Sequence, residues 1–195
     1  MLPSQKIILA SSSPYRKALL QRLKLDFLTA SPAIDESRKV GETADKLALR
    51  LARAKAMKLA KTEQNALIIG SDQVARLGKR LLTKPGNREN AIRQLQMARG
   101  RTVTFITAVC VINSGTQACL AENVITRVTF RDFSDEEITR YLDHDTPYDC
   151  AGSFKSEQLG ITLVQKLRGD DPTALIGLPL IKLAEMLRDQ GLYLP

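Results

Sequence analysis

The stretch from Lys6 to Leu23 constrains this chain more than any other. An apolar run, KIILAS, stops at serines and a proline and passes at once into a helical pattern. Lys6 to Ser11 has the length of a strand, and its unbroken apolar character predicts burial on both faces. Ser13 followed by Pro14 is the pattern of an N-cap and first helical residue, so a helix is expected to run to about Leu23. A strand that delivers directly into a helix is the start of an α/β layer. The helix start carries an oddity. Arg16 and Lys17 occupy a first turn where the helix dipole favours acidic residues. Either these cations face water, or they hold an anion together with the Ser11 and Ser13 hydroxyls and the free N–H groups of the helix end.

The same alternation continues. Phe27 to Ala30 is a short second strand, and Ser31 to Glu42 a polar loop carrying Asp35 and Glu36. A long helix is expected from about Thr43 to Lys61, then a strand from Leu67 to Ser71 that ends in Asp72. LGKR within Val74 to Lys84 predicts a hairpin turn. Asn87 to Ala98 predicts a helix closed by Gly100. Thr102 to Ile112 and Glu122 to Arg131 predict an antiparallel pair turning at Ser114-Gly115. Ser134 and Glu137 have the spacing of a capping box. Ile161 to Lys166 is strand-like, and Leu180 to Gln190 a last helix stopped by Gly191. The expected class is α/β, a mixed sheet with flanking helices. At 195 residues and 44% hydrophobic content, the chain can build one core or two small lobes around a cleft.

Composition removes several chemistries. His144 is the single histidine, so a histidine-rich zinc site is excluded and a Ser-His-Asp triad would have to use a polar HDTP loop. No GxxxxGK[ST] loop and no GxGxxG after a strand is present, so phosphate chemistry must use side chains, helix ends and hard metal ions. Cys110, Cys119 and Cys150 are odd in number and form no CxxC, which argues against a disulfide framework and for a reducing, cytoplasmic setting. No run of eighteen apolar residues predicts a membrane span, and MLPSQKIILASSSP lacks the pattern of a signal peptide. Lys and Arg number 29 against 21 Asp and Glu, a net charge of +8 that suits a polyanionic partner.

Three further positions stand out. On the long helix, Lys55 falls within the apolar stripe of Leu47, Ala48, Leu51, Ala52 and Leu59, whereas Arg50, Arg53 and Lys61 lie toward the solvated side. An ammonium there needs an anion, or it must snorkel to the edge. Asp72 follows the apolar strand ALIIGS, where open α/β sheets place ligands. With Asp35-Glu36 it makes a hard-oxygen set suited to Mg²⁺ or Mn²⁺, or the loop acids are ordinary turn residues. Lys84-Pro85 precedes a helix, and Glu157 lies among small and polar residues; each either recognises a ligand or is plain surface.

Taken in order, these fragments resemble the Maf family of nucleoside triphosphate pyrophosphatases. The family's SxSPxR appears as Ser11 to Arg16, its DE loop as Asp35-Glu36, LARxKA as Leu51 to Ala56, GSD as Gly70 to Asp72, KP as Lys84-Pro85, and AGSFKSExxG as Ala151 to Gly160. The resemblance implies an elongated single domain of two lobes around a cleft, related to inosine-triphosphatase-like enzymes. It also implies a hydrolase that cuts between the α- and β-phosphates with a divalent metal. By carry-over, Asp72 is the general base, Glu36 and Asp72 bind metal, and Ser11, Ser13, Arg16, Lys55 and Lys84 hold the triphosphate. Tyr15, Gln73 and Glu157 match the pattern of the branch acting on 7-methyl-GTP, with Tyr15 where that branch usually has tryptophan. A cationic 7-methylguanine stacked on an aromatic face gains about 0.5–2 kcal/mol. The same chemistry on dTTP, UTP or GTP is the alternative substrate reading. A nucleic-acid-binding or cell-division regulatory protein is the alternative class, opposed by an aromatic content of 5%. Family members are often dimers, so a homodimer is the expected assembly.

Overall fold

The computed structural model describes residues 5–194. In chain order the elements begin β1 (Lys6–Ala10), α1 (Pro14–Gln21), β2 (Leu28–Ala30), α2 (Ala44–Ala60), β3 (Ala66–Leu77), β4 (Arg80–Leu82) and α3 (Arg88–Ala98). They continue with β5 (Thr102–Asn113), β6 (Cys119–Phe130), α4 (Asp135–Asp145), β7 (Val164–Arg168) and α5 (Leu180–Asp189). The sheet runs in the order β2-β1-β3-β5-β6-β7, with β4 paired to β3, and it is mixed as expected. The chain divides into two compact units. One takes the chain up to Asp72, Thr107–Val124 and the chain from Asp171 onward; the other takes Gln73–Ile106 and Ile125–Asp170.

In the first unit, β1 lies between β2 and β3 and is parallel to both, with Ile8 opposite Leu28 and Ile68. Ile7 to Ala10 are all buried, the outcome of an apolar run covered on both faces. The Ser13 side chain accepts from the Arg16 backbone N–H, so the N-cap forms where the sequence places it. The helix ends at Gln21 rather than Leu23, and Lys24 takes a left-handed conformation at φ 55°. Thr43 caps α2 by accepting from the Lys46 N–H. The buried face of α2 includes Ala48, Ala52 and Ala56, and these small residues let the helix lie close to β3. Gly70 completes the fit. A Cβ there would stand 2.2 Å from the Ala52 carbonyl oxygen and 2.9 Å from the Ala56 nitrogen. Ile7, Leu9, Leu67, Ile69 and Val109 pack with Leu183 and Leu187 of α5 in one apolar cluster. Each such side chain taken wholly from water contributes about 1.5–3 kcal/mol.

The second unit is built around aromatic rings. Phe154 meets Phe130 edge-on with centroids 5.1 Å apart and lies 5.8 Å from Phe105. The expected hairpin forms between β3 and β4, with Gly78 at φ 58° in the turn. The capping box of Ser134 and Glu137 is complete.

Strand boundaries are corrected too: β6 starts at Cys119 rather than Glu122. The strand predicted to end at Asp72 continues to Leu77, because Ala75, Arg76 and Leu77 find partners in Leu82, Leu81 and Arg80. Asp72 therefore lies within a strand rather than at its end. The strand predicted from Ile161 starts instead at Val164. Leu159–Leu163 is a 3-10 turn, anchored where the Gly160 N–H donates to the Asp145 carboxylate at 3.2 Å.

Candidate active site

Lys55 is the centre of the charged cluster in the first unit. The α2 stripe carries it inward to 7% exposure, and the close approach at Gly70 sets it beside β3. Its ammonium lies 2.6 Å from Asp72 Oδ1 and 2.8 Å from Glu36 Oε1. The anion that a buried lysine requires is thus supplied twice, by a strand and by a loop. Asp72 is also buried, at 7% exposure, whereas the Glu36 side chain is 55% exposed. Burial raises the Asp72 carboxyl above the ordinary carboxylate range; Lys55 and Arg16 pull it back, and Glu36 adds to the rise.

The loop acids separate cleanly. Asp35 accepts from the Ser37 N–H and hydroxyl, both at 2.9 Å, a local turn contact. Glu36 is the one that reaches Lys55. Arg50, expected on the solvated side, is half-buried and braces this loop. Its guanidinium binds both carboxylate oxygens of Glu42 at 2.6 and 2.9 Å and the Ser37 carbonyl at 2.9 Å. A carboxylate eight residues away on a loop folded against the helix outcompetes water. Arg50 holds the Glu42 carboxyl down at about 2, against a burial effect of opposite sign.

At the start of α1, the Ser11 hydroxyl accepts from the Ser13 N–H at 3.1 Å and from Arg16 Nη1 at 3.5 Å. As acceptors, the Ser11 and Ser13 hydroxyls keep their own hydrogens for donation. Arg16 Nε donates to the Gly177 carbonyl at 2.9 Å. Burial lowers the Arg16 pKa, and the Asp72 and Glu36 carboxylates oppose that. Lys17 is exposed and Tyr15 half-buried. The first unit therefore gathers Ser11, Ser13, Tyr15, Arg16, Glu36, Lys55 and Asp72 from four separate stretches of chain. Gln73, Lys84 and Glu157 belong to the second unit. There Gln73 is half-buried, and Lys84 and Glu157 are exposed.

Two sets of polar residues escaped the sequence reading. Lys155, within AGSFKSEQLG, is buried at 8% exposure, and its ammonium donates to the Asp145 carbonyl at 2.8 Å. A lysine surrounded by Gly, Ser and Phe was the available signal. Asp171 and Thr173 organise the entry to α5. Asp171 Oδ2 accepts from the Ile181 N–H at 2.7 Å, and the Thr173 hydroxyl accepts from the Leu180 N–H at 2.8 Å. No sequence periodicity marks either residue.

The profile of a family described as "Maf-like protein" matches residues 6–190. The chain belongs to the Maf family. A relative from Methylobacillus flagellatus named 7-methyl-GTP pyrophosphatase is 56% identical over 185 residues, covering 95% of this chain and 96% of that protein. Another of the same name from Aromatoleum aromaticum is 55% identical over 190 residues, covering 97% and 98%. Among solved structures, a nucleoside-triphosphatase / dITP/XTP pyrophosphatase from Mycobacterium abscessus aligns over 95% of both chains at 15% identity and a TM-score of 0.43. In this Maf protein no helix among the described residues is long and apolar enough to cross a membrane. Nor do the described residues include a group of three or more His, Cys, Asp or Glu side chains arranged to hold a metal ion.

Proposed function

We propose that this Maf protein is a nucleoside triphosphate pyrophosphatase that hydrolyses 7-methyl-GTP to 7-methyl-GMP and pyrophosphate, removing a modified nucleotide. The observation that carries the reading is the Glu36–Lys55–Asp72 cluster, with the Arg16 guanidinium in its field. A buried ammonium, a guanidinium, two serine hydroxyls and a helix N-terminus together supply what a triphosphate needs, which is positioning and charge neutralisation. The substrate comes from the relatives named 7-methyl-GTP pyrophosphatase and from Tyr15, Gln73 and Glu157.

In this reading Ser11, Ser13, Arg16, Lys55 and Lys84 hold phosphate oxygens. Asp72 Oδ takes a proton from the attacking water, a task favoured by burial that raises its carboxyl. Lys55 keeps the Asp72 side chain oriented and offsets the charge of Glu36. Glu36 and Asp72 would hold Mg²⁺ or Mn²⁺. Their oxygens converge on one ammonium, and such ions accept one or two carboxylates together with substrate phosphates. When bound, the ion supplies charge neutralisation and a more acidic water. Tyr15 stacks on the base, and Glu157 accepts its N–H donors. A cytoplasmic setting, a homodimer and a single domain of two lobes belong to the same proposal.

The test is a panel of 7-methyl-GTP, GTP, dTTP and UTP with Mg²⁺ or Mn²⁺, run with the native chain and with Asp72→Asn. The expected outcome is highest kcat/KM on 7-methyl-GTP and loss of about a thousandfold in Asp72→Asn. Preference for dTTP or UTP overturns the substrate; undiminished Asp72→Asn activity overturns the mechanism. The net charge of +8 favours one competing reading, nucleic-acid binding. Steeply salt-dependent binding that survives Asp72→Asn, without nucleotide turnover, would establish it instead.

A further inference from the structure

In the GSD run Asp72 is preceded by a second buried polar side chain. Ser71 is fully buried, and its hydroxyl lies 2.8 Å from the Ala108 carbonyl and 2.9 Å from the Gly177 carbonyl. The Gly177 carbonyl is also the acceptor for Arg16 Nε. One carbonyl therefore ties the guanidinium to the strand that carries Asp72. The turn presenting it is pinned elsewhere too. The Thr107 hydroxyl donates to the Ala174 carbonyl at 2.8 Å, and the Thr173 hydroxyl, 2.7 Å from Asp171 Oδ1 and 2.9 Å from the Leu178 carbonyl, shares its one hydrogen between them. Gly177 itself has φ 125°, a conformation L side chains rarely adopt, and a Cβ there would lie 3.6 Å from Arg16 Nε.

We infer that Ser71 and Gly177 are positioning residues for Arg16. The Ser71 hydroxyl shares its one hydrogen between the Ala108 and Gly177 carbonyls, and the Gly177 carbonyl so held fixes the guanidinium through Nε, with Nη1 directed to the Ser11 hydroxyl. The inference rests on the nucleotide reading for what Arg16 binds, but the tether is a property of the chain itself. A guanidinium anchored through Nε has lost much of its rotational freedom before ligand arrives, so less is lost on binding. Without the tether, Arg16 would retain its charge and lose its aim.

A double-mutant cycle separates this role from general support of the fold. Ser71→Ala is expected to lower kcat/KM on 7-methyl-GTP about tenfold, chiefly through KM, in the native background. In an Arg16→Ala background the same change is expected to cost less than about twofold. Equal losses in both backgrounds would show that Ser71 supports the fold without acting through Arg16, and would overturn the inference. The second readout needs no substrate. Hydrogen exchange of the Arg16 Nε–H, followed by NMR, is expected to be slow in the native chain and faster in both Ser71→Ala and Ser71→Cys. Unchanged exchange in these variants overturns the tether. Absence of nucleotide turnover in the native chain would count against the proposed function, and the exchange measurement would still decide the tether.

Discussion

Two buried lysines sit in contrasting surroundings. Lys55 meets two carboxylates, Asp72 and Glu36, while the Lys155 ammonium donates to the Asp145 backbone carbonyl. The partners of Lys55 come from a loop nineteen residues before it and a strand seventeen residues after it; Asp145 is only ten residues from Lys155. Asp145 also accepts from the Gly160 N–H through its carboxylate, so the Lys155 contact belongs to a network that closes a loop. A lysine between carboxylates can exchange one anion for another when a phosphate arrives. The Lys155 contact with the Asp145 carbonyl ties its loop to the end of α4. Under the proposed function Lys55 serves charge, whereas the contact of the equally buried Lys155 joins backbone segments.

Replacing each lysine by methionine tests that contrast and gives the largest expected effect. Lys55→Met should lower kcat/KM by about a hundredfold or more, because it removes a positioned cation and leaves two acids facing each other. Lys155→Met should instead lower unfolding free energy by about 1–3 kcal/mol, as expected when a buried carbonyl loses its donor, with kcat/KM retained within about tenfold. Steady-state kinetics beside urea unfolding would show whether the two losses separate or coincide. Coincidence would erase the contrast.

A smaller effect is expected from Gly70→Ala, which acts on the packing that delivers Lys55. Its Cβ would meet the Ala52 carbonyl at 2.2 Å, so α2 must shift from β3. A stability loss of about 1–3 kcal/mol is expected from such overpacking. Because Lys55 is one turn from Ala52, kcat/KM should fall in the same variant. Full activity despite the stability loss would show that the cluster tolerates displacement of the helix.

The smallest effect concerns pH. Glu42, bound by Arg50, has its carboxyl lowered from 4.5 to about 2. A depressed carboxyl contributes stability that is complete above 4.5 and disappears as pH falls toward about 2. Glu42→Gln should therefore lower the melting temperature near neutral pH and flatten its decline across that acid window. An unchanged acid slope would mean that the Glu42–Arg50 brace contributes nothing to the fold.

How much of this was legible in the sequence depends on whether a local rule governs the residue. The Ser13 cap, the capping box of Ser134 and Glu137 and the inward placement of Lys55 follow from helix periodicity and end chemistry, and they form as expected. Asp72 was legible as a residue but not as a position. Whether β3 ends or continues is decided by β4 pairing to it. A loop has no period to separate Glu36 from Asp35, and it is the family resemblance that singles out Glu36; in the structure Asp35 is taken up by Ser37. The Arg50 brace was hidden for the same reason. The contact of Arg16 with Gly177 joins residues 161 apart, beyond the reach of any spacing rule.

In the proposed function the residues around Lys55 cleave a triphosphate between its α- and β-phosphates. Following 7-methyl-GTP by ³¹P NMR with Mg²⁺ tests it most directly, since each product has its own resonance. 7-Methyl-GMP and pyrophosphate are expected in equal amounts, both formed about a thousandfold more slowly by Asp72→Asn. Orthophosphate with 7-methyl-GDP, or an unconsumed triphosphate, would contradict it.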